Sequence, residues 1–578
     1  MIRRRRRTRR RTRLGSLAGG ALTVLSGALV WLALTGPNDA GHLGFRVFLR
    51  VPVEGLALAA VVLLLPPRPR RVIAAVLGLV LGVVLILKVL DMGFYETLDR
   101  PFDPVVDWGY LGPLIGLVVD SVGRTAGVGV IGSVALLVLA LLLATPLAVL
   151  RLTRVAVGHG RASWRVVAVA AALGLLAALL GLSGVPAGRF VSTSASSYAL
   201  GQVNRIPREI RDERAFARAT AADPLRRTPD DRLLTGLRGK DVLFIFVESY
   251  GRVAVQGSTF SPGVDEVLDR GTRRLRSAGF SARSAFLTSP TFGGISWLAH
   301  STLQSGLWVD SQQRYSVLMN SSRSTLSRAF HRAGWRTVSD VPSDTRDWPE
   351  GRFYGYDRFY DARNVGYAGP RFGYPTMPDQ FTLDAFHRLE LAHHPRHPVM
   401  AEIDLVSSHA PWSRTPHLVD QRAMGDGSLF DGMPQRAPSK SVIWRSAQRV
   451  RDAYGQSIEY SLGSVVDFVK TYGDDNLVVV MLGDHQPATI VSGSAAGHDV
   501  PVTVLARDPA VLHRIGSWHW QAGMRPHPDS PVWRMDAFRD RFLTSFGPSA
   551  DRQPRIEAAT RNPSGHTDPA AILDRRPH

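Results

Sequence analysis

The first 190 residues constrain this chain more than any other feature. Apolar runs of Leu, Val, Ala and Gly alternate there with clusters of arginine. Inside a bilayer every backbone N–H and C=O must be paired within the segment, so such runs are expected to be helices. Five stretches approach the roughly 20 residues a spanning helix needs: 14–35, 45–65, 72–89, 127–150 and 166–182. The second carries Arg50 and Glu54 and is the weakest. The stretch 105–122 has Asp107 and Asp120 near its ends and is expected to lie at the membrane surface.

Charge orients the spans. The N-terminal run reads RRRRRTRRRTR, the second loop reads PPRPRR, and the fourth holds Arg151, Arg154, Arg161 and Arg165. The third loop instead carries Asp91, Glu96, Asp99, Asp103 and Asp107. Basic loops stay in the cytoplasm. The N-terminus is therefore expected inside, with a retained anchor as the first span, and everything after about residue 187 outside. The net charge of +20 would usually raise nucleic acid as a partner. Much of it lies in the run before the first span, so the expected partner is the membrane and no nucleic acid. The absence of cysteine excludes disulfides, thiolate nucleophiles and Cys-ligated zinc.

The expected plan is a transmembrane domain over 1–187, a juxtamembrane linker over 188–240, an extracytoplasmic domain over 241–547 and a disordered tail over 548–578. The linker is Ala- and Arg-rich from 207 to 222, which suits a short amphipathic helix. In the outer domain, apolar runs at 241–247, 335–338, 399–406, 477–482 and 500–506 read as strands. Helical patterns at 264–278, 296–304, 326–333 and 445–472 fall between them. This alternation predicts an α/β sandwich on a mostly parallel sheet.

Three of those strands end in polar residues able to do chemistry. The run DVLFIFV ends at Glu248, NLVVVMLG at Asp484-His485, and VMAEIDLV shortly before His409. Singly, each has an ordinary reading: a helix cap, a hydrogen-bonded corner, a structural histidine. Together, two carboxylates and an imidazole at one sheet edge suit a hard or borderline divalent cation. A nucleophile is then expected on a neighbouring loop. LTSPTFGGIS (287–296) offers Ser296, expected at the N-cap of the next helix, where N–H groups can hold an anionic oxygen. An ordinary capping serine has the same local sequence.

As a set, these residues resemble the alkaline phosphatase/sulfatase superfamily, in its membrane-anchored lipoteichoic acid synthase and phosphoglycerol transferase branch. The family's T-S-N-A-E-F-x-x-L-T-G pattern aligns without a gap on Ser296 to Gly306, and its G-Y/F-D-x-F-Y-D element resembles Gly355 to Asp361. The resemblance implies an alkaline-phosphatase-like α/β domain after a multi-pass helical membrane domain. It implies Glu248, Ser296, Asp484 and His485 as ligands of one divalent ion, Mn²⁺ or Mg²⁺, with Zn²⁺ also compatible. It further implies Ser296 as the nucleophile, His409 as a substrate residue, and Arg346 as another, with Arg352 in reserve. The family's usual nucleophile is Thr. Thr291 or Ser289 takes the role if the alignment slips. Sulfatases use a Cys/Ser-x-Pro-x-Arg motif, which Ser296-Trp297-Leu298-Ala299-His300 lacks. The expected reaction is transfer of a phosphoglycerol-type headgroup from a phospholipid donor to a cell-envelope glycan or polymer, through a phosphoseryl enzyme. A sulfatase- or phosphodiesterase-type hydrolase and an inactive membrane scaffold are the alternatives.

Overall fold

The computed structural model describes residues 2–548, except 40–42, 46–47, 49, 166–167, 170–171, 173–190 and 193. Most of the expected fifth span (166–182) and the tail from 549 onward lie outside the described residues.

The N-terminal part contains helices α1 (Ile2–Thr35), α2 (Val53–Leu64), α3 (Pro67–Leu98), α4 (Leu111–Val122) and α5 (Arg124–Gly158). Among the described residues three helices are long and apolar enough to cross a membrane: α1 over Ala18–Thr35, α3 and α5. Among the described residues of the second expected span the α-helix is α2, whose 12 residues reach about 18 Å, short of the roughly 30 Å hydrocarbon core. Pro66 and Pro67 stop it, and the Arg70 guanidinium donates to the carbonyls of Val62 and Leu65 that the helix end leaves open. By contrast α3 has 32 residues, about 48 Å, so one end must project beyond the hydrocarbon. It packs closely on α5: a methyl group on Gly78 would fall 2.5 Å from Pro146 Cα. Helix α4 occupies most of the stretch expected at the membrane surface and exposes Leu111, Leu114 and Ile115. The juxtamembrane helix, α6 (Ser194–Ala221), starts well before the expected residue 207. Asp212 on α6 holds Arg314 of the outer domain through paired bonds of 2.7 and 2.9 Å.

The outer domain is a nine-stranded mixed sheet among the described residues. Its strands are β1 (Asp241–Val247), β2 (Ser281–Thr288), β3 (Arg336–Val341), β4 (Arg358–Asp361), β5 (Val399–Leu405), β6 (Leu477–Gly483), β7 (Asp499–Ala506), β8 (Gln521–Ala522) and β9 (Val532–Arg534). The order is β8-β2-β7-β6-β1-β5-β3-β4, with β9 on β2. Strands β6, β1, β5, β3 and β4 run parallel, while β7 runs against β6 and β2. Along β1, Leu243, Ile245 and Val247 enter one core, and Val242, Phe244 and Phe246 the other. That two-residue alternation buries every residue of the strand. Helices α7 (Ser261–Ser277) and α9 (Ala447–Tyr472) cover the first face; α8 (Ser296–Ser305) covers part of the second.

Register places the site. Val247 of β1 pairs with Leu405 of β5 and Gly483 of β6, so three central parallel strands end at one level. The residues just beyond each strand therefore meet in space at the carboxyl edge.

Candidate active site

Glu248, Asp484 and His485 leave the ends of β1 and β6 and converge. All three are at least nine-tenths buried. One Asp484 oxygen, Oδ1, accepts the backbone N–H groups of Ser249 at 2.8 Å and His485 at 2.7 Å. This fixes the carboxylate and leaves Oδ2 3.6 Å from His485 Nε2. Glu248 Oε1 accepts the Ser249 hydroxyl at 2.8 Å and lies 3.4 Å from the same Nε2. His485 Nδ1 is 2.8 Å from the Gln486 carbonyl, which can only accept, so Nδ1 carries the hydrogen and Nε2 faces the carboxylates.

Ser296 joins them. Its hydroxyl donates to Glu248 Oε2 at 2.9 Å and lies 3.2 Å from His485 Nε2. The expected N-cap role needs correction. Ser296 is the first residue inside α8, and the cap is Ile295, held left-handed at φ 65° and ψ 44°. A β-branched residue there costs on the order of 1–3 kcal/mol. The strained turn aims the serine at the strand ends instead of at its own helix. Ser249, beside Glu248, and Trp412, shortly after His409, are also left-handed, at φ 56° and 53°. Of the alternative hydroxyls, Ser289 donates to the Asp484 carbonyl and Thr291 to the Gly294 carbonyl, both at 2.5 Å. Both are thus engaged with backbone, away from the Glu248 carboxylate.

His409 follows β5. Ser408 ties that turn to the Glu248 carbonyl with a 2.6 Å bond. The His409 ring stacks on Tyr374 at 3.8 Å, and its Nδ1 lies 2.6 Å from the Ala410 carbonyl. Arg346 stands exposed on the loop after β3, and Arg352 is exposed on a short helix, Gly351–Tyr354.

The charges are strongly coupled. Burial, with Glu248 adding to it, pushes Asp484 up to about 7. Burial would lower His485, but Asp484 and Glu248 face it and raise it to about 9. Burial would raise Glu248, but the His485 imidazole beside it, with His409 further off, holds it well below the carboxylate range. One ligand atom each from Glu248, Asp484 and His485 lies within 4.8 Å of the others, with the serine hydroxyl alongside. A nitrogen, two carboxylates and a hydroxyl fit Mn²⁺, Mg²⁺ or Zn²⁺. An excess of buried negative charge is what such an ion relieves.

Two contributions escaped the sequence reading. His498 precedes β7; its ring lies 5.4 Å from Phe292 in the serine loop. Burial lowers its pKa, while Asp99 on the loop after α3 raises it. The membrane part also reaches the site. Thr489 donates to the Glu96 carbonyl at 2.7 Å, and Trp297, next to Ser296, packs on Tyr110 at 6.5 Å. Gly293 abuts the Thr97 carbonyl so closely that an added methyl would fall 1.6 Å from it.

Residues 240–522 match the protein family described as Sulfatase. No curated protein matches the chain. Among solved structures, the chain is similar to the lipoteichoic acid synthase LtaP from Listeria monocytogenes: 14% identity, 55% of this chain and 74% of that one, TM-score 0.37. It is also similar to the integral membrane lipooligosaccharide phosphoethanolamine transferase A from Neisseria meningitidis: 12% identity, 91% and 95% covered, TM-score 0.44. A third is the phosphoglycerol transferase GacH from Streptococcus pyogenes: 13% identity, 58% and 91% covered, TM-score 0.33.

Proposed function

We propose that this chain, whose residues 240–522 match the family described as Sulfatase, is a membrane-bound transferase. It moves a phosphoglycerol-type headgroup from a phospholipid to a cell-envelope acceptor. The observation that carries this reading is the serine hydroxyl, 2.9 Å from Glu248 Oε2, on a loop pressed against the end of a membrane helix. A site so placed meets lipid headgroups without the lipid leaving the bilayer. Spans that begin with a cytoplasmic N-terminus would put this domain outside the cell, where envelope acceptors are.

Glu248, Asp484, His485 and Ser296 would hold the divalent ion. When bound, it supplies positive charge that favours the ionised serine and the developing charge on phosphorus oxygens. The chain's own residues do the rest. Ser296 Oγ gives up its proton towards Glu248 Oε2 and attacks phosphorus. The Oγ–P bond forms, the bond from phosphorus to the diacylglycerol oxygen breaks, and His409 supplies the proton that oxygen needs. An acceptor hydroxyl then attacks phosphorus, losing its proton to the same histidine; the acceptor O–P bond forms, the Oγ–P bond breaks, and Ser296 Oγ takes its proton back from Glu248 Oε2. Arg346 would neutralise headgroup charge if its loop folds over the bound lipid. The Asp484 carboxylate, pinned by two N–H groups, keeps the cluster in place.

The test is intact mass measurement of the full-length protein in detergent after incubation with phosphatidylglycerol. A glycerophosphoryl adduct on Ser296 with release of diacylglycerol is expected, and none with Ser296→Ala. Diacylglycerol release that Ser296→Ala leaves unchanged would overturn the reading. Quantitative release of glycerol phosphate to water, whatever hydroxyl acceptor is present, would instead make the protein a hydrolase.

A further inference from the structure

A second group of ligating side chains lies one layer deeper than the site above. His300 follows Ser296 by one turn of α8, about 6 Å along the axis. Glu402 and Asp404 stand on β5, in register with Phe244 and Phe246 of β1. Asp404 is therefore level with a residue two positions, about 7 Å, before Glu248. His300 Nδ1 lies 3.0 Å from Glu402 Oε1 and 3.6 Å from Asp404 Oδ1. One ligand atom from each of the three lies within 4.8 Å of the other two. Their side chains are only 12%, 7% and 18% exposed.

Each member is held in place by its neighbours. Phe246 stacks on the His300 ring at 3.8 Å and 15°. The Tyr356 hydroxyl donates to Glu402 Oε2 at 2.9 Å and Gln304 donates to the same oxygen, which turns Oε1 towards His300. Asp404 Oδ1 is buried and has no hydrogen-bond partner. The charged groups facing Asp404 are one imidazole, His300, and three acids, Glu402, Asp344 and Asp484. A proton on His300 offsets only one of two buried carboxylates, and an orphaned carboxylate oxygen is costly. A dication with neutral imidazole offsets both. Two N or O ligands bound to one ion at about 2.0–2.2 Å stand roughly 3–3.6 Å apart, the spacing found from His300 Nδ1 to each oxygen.

We propose that His300, Glu402 and Asp404 form a second divalent cation site, for Zn²⁺ or Mn²⁺, that pins the first turn of α8 to β5 beneath Ser296. The site does not depend on the transferase reading. It is tested by counting metal in the full-length protein in detergent, stripped with chelator, reloaded with Zn²⁺ or Mn²⁺ and desalted. Two ions per chain are expected for the wild type. One is expected for Asp404→Asn, which keeps the shape of a side chain whose oxygen bonds nothing, and one for His300→Gln. Asp484→Asn, at the other centre, should also retain one. One ion per chain in the wild type, unchanged in Asp404→Asn and absent from Asp484→Asn, would overturn the proposal and leave a proton bridging the three groups. Thermal unfolding of each variant checks that it is folded when counted. Because the readout is stoichiometry, an inactive protein with two ions would refute the transferase reading alone.

Discussion

Gly293→Ala tests whether the membrane part presses on the serine loop. Two penalties arise at that residue. Its φ is +69°, where an L side chain costs on the order of 1–2 kcal/mol. Its new methyl would also lie 1.6 Å from the Thr97 carbonyl oxygen, whereas ordinary contact begins near 3.4 Å. The obstacle is backbone at the end of α3, so no side-chain rotation relieves it, and loop or helix must retreat by about 1.8 Å, the difference of those two distances. Ser296 is three residues on. A misplacement of about 1 Å at a reacting group can cost some 10²-fold in rate, so diacylglycerol release from phosphatidylglycerol micelles should fall at least about 100-fold. Gly334→Ala is the control. Its φ is +95° with nothing within 4 Å of the added methyl, so it carries the backbone strain without the collision. If Gly293→Ala turns over within threefold of wild type, and its melting temperature falls no further than that of Gly334→Ala, the loop is not braced by the membrane segment and the reasoning fails.

Glu248→Gln keeps an oxygen that can accept from the Ser296 hydroxyl but removes the negative charge and the basicity proposed to take its proton, so turnover should drop by about 10²-fold or more; full activity in that variant would remove Glu248 from the mechanism. Chelator treatment should abolish adduct formation at Ser296, and Mn²⁺, Mg²⁺ or Zn²⁺ should restore it, as followed by intact mass. Asp340 is buried with both carboxylate oxygens unpartnered, and burial, with Asp361 adding to it, pushes its pKa up to about 7. The folded state therefore favours its protonated form, and stability is lost as pH rises from about 4, the unfolded value, through 7. Asp340→Asn should raise the melting temperature at pH 8, by a stabilisation of up to about 4 kcal/mol, with the gain vanishing near pH 4; an equal effect at both values would rule the titration out. Arg314→Ala breaks the paired bonds to Asp212 and should cost about 1–2 kcal/mol in thermal unfolding while loosening α6 from the outer domain, visible as faster proteolysis within 194–221.

The long apolar helices, the central parallel strands and the polar residues Glu248, Asp484 and His485 at their ends were legible in the order of residues alone. The reason is local: a membrane helix and a strand buried on both faces each need an unbroken apolar run, and a polar residue that ends such a run is conspicuous. Strand β2 lacked that mark, because three of its first residues are exposed or half-buried and only four in its middle are buried. In the 45–65 stretch the described α-helix is α2, which begins after Pro52. Which side of each element faces the site was settled by packing in three dimensions. His498 stands at the start of a strand, a position that reads as remote from strand ends until β7 is seen to run against β6 and bring its beginning to their carboxyl edge. Ser296, rather than Ser289 or Thr291, meets Glu248 because Ile295 turns left-handed, a conformation no sequence rule assigns to isoleucine. The grouping of His300 with Glu402 and Asp404 comes from strand register and helix position together, across about a hundred residues of chain. The pressure of α3 on Gly293 depends on how one domain docks on another, and no local pattern encodes that.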